Sequence, residues 1–246
     1  MADVVESWLA ALDERHLADL TPTEVARALR ALSSIYVERR SRLASGAALD
    51  SAGKRAAFAL FYGPLHFLIV REIVTALGTS LGQPKEIADL GCGTGAAGAA
   101  WGMFSGANVG GTDRHPWAVA EANRTYRDLH VSGRATQGDM TRTRVRRSAG
   151  LGILAAYSAN ELTDEARSRL LTQLHDAHSR GARVLVVEPI ARRLTQWWNG
   201  WQRAFENAGG RADEWRFPAT LPPRQASLAR AAGLDPRELT ARTLML

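Results

Sequence analysis

The segment Ile87-Ala88-Asp89-Leu90-Gly91-Cys92-Gly93-Thr94-Gly95-Ala96-Ala97-Gly98 concentrates the residue types most suited to chemistry in this chain. A short apolar run ending in glycines before a helical stretch lets the backbone turn sharply. It also lets a ligand approach main-chain atoms that any Cβ would block. Such a loop cradles a nucleotide-type cofactor. Gly91, Gly93 and Ala96 also satisfy the spacing of a dinucleotide loop, so the glycines alone do not choose among nucleotides.

Three further features favour S-adenosylmethionine over a nicotinamide. Asp89 stands inside the strand just before Gly91, where a carboxylate can organise the loop and face a cationic amino-acid moiety. Asp113 closes the second predicted strand, placed to accept hydrogen bonds from ribose hydroxyls, with Arg114 beside it. Gly138-Asp139-Met140 follows the third, pairing an acceptor for the adenine amino group with an apolar side chain for its ring. A hydride-transfer enzyme is disfavoured, because no Tyr-Lys pair or similar grouping is evident.

The run Asp89-Leu90-Gly91-Cys92-Gly93-Thr94-Gly95, with Asp113 and Asp139, resembles the pattern of class I S-adenosylmethionine-dependent methyltransferases across roughly residues 85 to 246. The resemblance implies an α/β fold, a Rossmann-like doubly wound, mostly parallel sheet of seven strands with the last antiparallel. It implies S-adenosylmethionine as cofactor and S-adenosylhomocysteine as product. Asp89, Gly91, Gly93 and Gly95 would line the methionine and ribose side, Asp113 the ribose, and Asp139 with Met140 the adenine. Cys92, Arg114, Tyr157 and Ser158 complete the expected cofactor set.

A narrower likeness lies in Tyr157-Ser158-Ala159-Asn160-Glu161-Leu162 and Val184-Leu185-Val186-Val187-Glu188-Pro189. These resemble the methyltransferase-like family of the mitochondrial small ribosomal subunit and its bacterial relatives. Phe61-Tyr62-Gly63-Pro64-Leu65-His66 lies where that family has an aromatic, proline-containing helix. The family carries several cysteines that hold an iron-sulfur cluster; this chain has Cys92 alone, so neither cluster nor metal is expected.

The acceptor side is less determined. A thiolate after the fourth strand, needed for cysteine-linked base methylation, is absent, and so is an Asn-Pro-Pro-aromatic run. Asn160 and Glu161 fill that slot as candidates for acceptor orientation or proton acceptance; capping of the next helix by Asn160 or Thr163 is the alternative. Tyr62 and His66, on a possible helix, could cover the cofactor, or His66 could be a satisfied core residue. Trp197 and Trp201 share a helical face and could stack a planar acceptor, or simply pack.

Thirty-one basic residues against 25 acidic ones give a charge of +6, and Arg142, Arg144, Arg146 and Arg147 lie close together before the fourth strand. An RNA acceptor or small-ribosomal-subunit partner is therefore set ahead of a small molecule, with a solvated charge run as the other reading. A non-catalytic ribosome or RNA-binding factor that keeps the cofactor pocket is the rival from another class.

The elements that position these residues follow from patterning over 246 residues, 46% hydrophobic and 23% charged. Residues 1–80 carry helical signals only and form an expected cap; 81–246 form the cofactor-binding domain. Thr21-Pro22-Thr23-Glu24 reads as a capping box opening a helix that ends near Ser45 and Gly46. A second helix runs from Asp50 to Gly78, broken or kinked at Gly63-Pro64. Strands are expected at 86–90, 108–112, 134–137, 151–156, 183–187, 214–217 and 240–246, with helices at 96–104, 116–130, 164–179, 195–208 and 224–232 between them. The apolar run from Ala56 to Val70 is interrupted by Gly63, Pro64 and His66, so no membrane span is expected. Met1 is followed by Asp3 and Glu6 instead of a basic and then apolar leader, so a cytoplasmic home is expected.

Overall fold

The computed structural model describes residues 2–38, 49–143, 149–190, 196–234 and 237–246. Its strands are β1 (Glu86–Leu90), β2 (Asn108–Asp113), β3 (Gly133–Gln137), β4 (Leu151–Ala156), β5 (Arg183–Glu188), β6 (Arg211–Pro218) and β7 (Glu238–Met245). They form one sheet in the order β3-β2-β1-β4-β5-β7-β6. β7 runs antiparallel between β5 and β6, and the pairs among β1 to β5 are parallel. This is the doubly wound sheet expected, antiparallel last strand included. Strand order reverses where β1 lies between β2 and β4, which opens a crevice at their carboxyl ends.

Burial on both faces explains the apolar runs. Ile87, Val109, Leu154, Leu185 and Ala241 pack on one side with α5 (Ala96–Ser105), α6 (Pro116–Asp128) and the N-terminal helices. On the other, Leu90, Ile153, Val184 and Leu244 pack with Leu170 and Leu174 of α7 (Asp164–Ser179) and Trp198, Trp201 and Phe205 of α8 (Trp198–Asn207). The last helix, α9, spans Pro223–Ala231.

The N-terminal part holds α1 (Ala2–His16), α2 (Pro22–Glu38), α3 (Ala52–Ala57) and α4 (Gly63–Leu77). At the start of α2 the capping box forms as read, with Glu24 accepting from Thr21 N and Glu24 N donating to Thr21 Oγ1. The expected end of that helix, near 45–46, lies outside the described residues. α1 and α2 share the core of the sheet, with Trp8, Leu12, Val25 and Leu29 in the same buried cluster as Ile87. Glu121 of α6, fully buried, binds Arg15 and His16 of α1, each at 3.1 Å. The expected cap is thus fastened to the domain by apolar packing and by charge.

The helix is interrupted at Gly63-Pro64, where the break or kink was expected. The chain widens into a π turn at Phe58–Tyr62 and continues as α4, with Pro64 in its first turn. The carbonyl four residues back, Leu60 O, which Pro64 has no N–H to satisfy, accepts instead from Gln225 Nε2 of α9 at 2.9 Å. The whole run Ala52–Leu81 is long and apolar enough to cross a membrane by length and composition, yet 67% of its most apolar window is buried inside the fold.

Candidate cofactor and acceptor site

The glycine loop joins β1 to α5 at the crevice. Gly91 N and Cys92 N donate to Thr112 O at 2.8 and 3.0 Å, and Gly93 N donates to Asp113 Oδ2 at 2.9 Å. His115 N donates to the other Asp113 oxygen at 2.8 Å. Asp113 therefore braces the loop, and each of its oxygens keeps lone-pair capacity for a ribose hydroxyl.

The loop glycines differ in what they make room for. A Cβ at Gly91 would lie 2.5 Å from Ser158 Cβ and 3.0 Å from Met140 Sδ, so its smallness serves packing inside the protein. At Gly93, whose φ is +53°, the nearest atoms to such a Cβ belong to the Phe58 ring, 3.6 Å away. Such a Cβ would sit in ordinary van der Waals contact with Phe58, so the positive φ is what calls for glycine at this position.

Beneath the loop, Asp89 is buried and accepts from Gly98 N at 3.1 Å. A Cβ at Gly98 would collide with that carboxylate, which is why this position of α5 is glycine. Burial, the nearby Asp113 charge adding to it, pushes Asp89 up to about 7 despite the Gly98 hydrogen bond. A buried acid lacking a cation suits a cationic ligand end. Cys92 is also buried, and burial together with Asp89 and Asp113 raises its thiol well above the usual range, so it packs and is no nucleophile.

On the expected adenine side, Arg114 Nη2 meets Asp139 Oδ2 at 2.9 Å, and Thr141 N and Oγ1 donate to Asp139 Oδ1 at 2.9 and 2.8 Å. Partial burial opposes ionisation of Asp139, but these donors outweigh it and hold the carboxyl below its usual range. Met140 is buried close to Gly91. Ser158 Oγ donates to Leu90 O at 2.8 Å, tying the end of β4 to that of β1.

An aromatic wall rises from the N-terminal side. His66 and Tyr157 stack with ring centroids 3.9 Å apart and planes 9° apart. Phe58 and Tyr62 flank His66 at 6.1 and 6.0 Å. The desolvated surroundings push the imidazole down to about 3, so it is neutral at physiological pH. Tyr157, the first residue beyond β4, adopts φ +59°, a left-handed conformation that costs a non-glycine residue about 1 to 2 kcal/mol.

Asn160 and Glu161 separate. Asn160 N donates to Glu188 Oε1 at 3.1 Å, its side-chain amide donates to Glu188 Oε2, and its Oδ1 accepts from Trp197 Nε1 at 3.0 Å. Glu161 is exposed, and Thr163 is the residue that caps α7. Trp197 is partly exposed, whereas Trp201 is buried 4.9 Å from it in the core beside Phe205; the geometry makes Trp201 a packing residue and no stacking surface.

Phe58 and Arg167 were not singled out from sequence, and Glu188 was read there only as part of the run Val184–Pro189. Phe58 stands four residues before Tyr62 on the stripe that continues to His66, a readable signal. Glu188 is the single charge ending an apolar strand. Arg167 donates to Ala159 O and Leu162 O and lies 5.0 Å over the Trp197 ring, holding the loop after β4; nothing in its spacing marks it. Among the described residues no group of three or more His, Cys, Asp or Glu could hold a metal. Arg144, Arg146 and Arg147 lie outside the described residues.

Residues 87–181 match the family model described as a methyltransferase domain. Among solved structures, the methyltransferase domain of bacterial CtHen1 is similar at 14% identity and TM-score 0.51, over 74% of this chain and 100% of that one. An S-adenosylmethionine-dependent methyltransferase from Aquifex aeolicus is similar at 13% identity and TM-score 0.50, over 74% and 91%. A curated relative, ribosomal RNA small subunit methyltransferase C of Chromohalobacter salexigens, is 39% identical over 72 residues. That stretch is 28% of this chain, and the chain spans about a fifth (21%) of the relative's length.

Proposed function

Because the chain carries a class I S-adenosylmethionine-dependent methyltransferase domain, we propose that it methylates RNA, with the small ribosomal subunit as the acceptor's setting. The observation that carries the acceptor is the pair of exposed guanidinium groups at the crevice. Arg114, following β2, and Arg142, following β3, have side chains 60% and 83% exposed and converge on Asp139. Excess positive charge beside the crevice suits a phosphate backbone. The name of the partial relative points the same way. A cytoplasmic location accompanies this reading.

When bound, S-adenosylmethionine supplies an electrophilic sulfonium methyl. The residues of the chain hold and orient. Asp113 accepts the ribose hydroxyls while bracing Gly93, Asp89 and the loop take the methionine end, and Asp139 with Arg114 frames the adenine. Phe58, Tyr62, His66 and Tyr157 keep water from the reacting centre. Neutral His66 leaves the cofactor's positive charge unopposed there. In-line displacement needs alignment more than acid-base help, and Trp197, held by Asn160, is the partly exposed indole that a planar acceptor would meet.

The test is methyl transfer from tritium-labelled S-adenosylmethionine into total RNA, purified small ribosomal subunits and a metabolite extract. Label in RNA is the expected result. Label confined to the metabolite fraction would move the acceptor to a small molecule, and cofactor binding without any label would favour a non-catalytic RNA-binding factor.

A further inference from the structure

Four acidic groups meet beneath the glycine loop. Asp89 comes from β1, Cys92 from the loop, Asp113 from the end of β2 and Tyr126 from α6. The Tyr126 oxygen and Cys92 Sγ lie 2.7 and 2.9 Å from the point a Gly111 Cβ would occupy, so both fill the space under the same strand. Tyr126 is 1% exposed, and its hydroxyl has no hydrogen-bond partner. Asp89, also 1% exposed, receives one backbone N–H, from Gly98 of α5. Among the described residues the titratable groups that interact with Asp89 are Asp113, Cys92 and Tyr126, and none is basic.

A carboxyl in this position has two ways to avoid an uncompensated buried charge: keep its proton or acquire a cation. We propose that Asp89 carries its proton in the ligand-free protein and releases it to solvent when a ligand's ammonium-bearing methionine end docks over the loop. The acid cluster thereby selects adenosyl ligands bearing an amino acid over neutral adenosyl thioethers. The bond broken is the carboxyl O–H; the proton passes to the buffer, and nothing is oxidised or reduced. The inference rests on the cofactor reading of the crevice and goes beyond it by linking occupancy to a proton. The burial that pushes Asp89 up to about 7 puts the transition in an accessible range. Ligand binding favours the ionised carboxylate, so affinity must rise with pH below that point and level off above it.

The experiment is titration calorimetry of the full chain near pH 6.5 in phosphate and in imidazole, two buffers of different ionisation enthalpy. The ligands are S-adenosylmethionine, S-adenosylhomocysteine and 5′-methylthioadenosine, which lacks the amino acid. The expected result is buffer-dependent heat corresponding to release of close to one proton for the first two and none for the third. S-adenosylmethionine affinity should rise about tenfold from pH 5.5 to 7, and 5′-methylthioadenosine affinity should stay flat. Asp89→Asn should abolish the buffer dependence; should that variant not fold, the two-buffer and three-ligand comparison on the native protein decides alone. Buffer-independent heat of S-adenosylmethionine binding, or equal proton release with 5′-methylthioadenosine, would overturn the inference while leaving the cofactor reading intact. Absence of any S-adenosylmethionine binding would overturn both.

Discussion

Asn160 meets the buried Glu188 carboxylate with two N–H groups, the backbone amide reaching Oε1 at 3.1 Å and the side-chain amide reaching Oε2. Glu188 ends β5 and Asn160 lies beyond β4, so the pair ties together two neighbouring strand ends at the crevice. The same Asn160 fixes the Trp197 indole through its Oδ1. Asn160→Asp would set a second carboxylate against Glu188 and should cost about 3 kcal/mol or more, since buried like charges cannot both ionise. Thermal unfolding reads the loss. Glu188→Gln, which keeps the shape and removes the charge, should cost less, about 1 to 3 kcal/mol.

Glu121 carries a second prediction. Burial alone would raise its pKa, but His16, Arg15 and Arg124 outweigh burial and hold it at about 2 instead of the ordinary 4.5. A carboxyl depressed in the folded state contributes stability that is complete above the unfolded value and is lost as pH falls through the folded one. That contribution is about 3 kcal/mol at neutral pH and should disappear between roughly pH 4.5 and 2. Glu121→Gln should flatten the acid limb of a denaturation series over that window; an unchanged limb would remove Glu121 as the anchor of α1.

Gly91 and Gly93 should differ in how they tolerate alanine. At Gly91 the new methyl meets Ser158 and Met140, so Gly91→Ala should lower the melting temperature sharply. At Gly93 the nearest atoms stand at 3.6 Å, so Gly93→Ala should cost only the backbone strain of about 1 to 2 kcal/mol while weakening cofactor binding. A Gly93→Ala protein that binds S-adenosylmethionine as tightly as the native chain would show that the loop at Gly93 is not the cradle.

Asp113→Ala should weaken S-adenosylmethionine by about 3 kcal/mol, because the ribose loses its acceptor and Gly93 N and His115 N lose theirs. Calorimetry checks the affinity, with circular dichroism confirming the fold. Native affinity in that variant would mean the ribose is held elsewhere.

Much of this was legible in the chain because local and global signals agree. β1, β4 and α7 begin and end where their apolar runs and caps place them, and of the expected acids Asp113 braces the glycine loop while Asp89 holds the first turn of α5 behind it. The interruption at Gly63-Pro64 was legible, but its form was not: a π turn whose Leu60 carbonyl is satisfied from α9, far along the chain, by Gln225. Asn160 was found as a polar residue at the right strand end, but its partners Glu188 and Trp197 are a tertiary matter. Trp201 shares its helical spacing with Trp197, and only the packing of α8 on the sheet decides which ring is buried.

Calorimetric titration of the purified chain with S-adenosylmethionine, S-adenosylhomocysteine and NAD reads the choice of cofactor. Saturable one-to-one binding of the first two and no heat with the third is the expected result. Binding of NAD, or no binding of either adenosyl ligand to a folded protein, would contradict it.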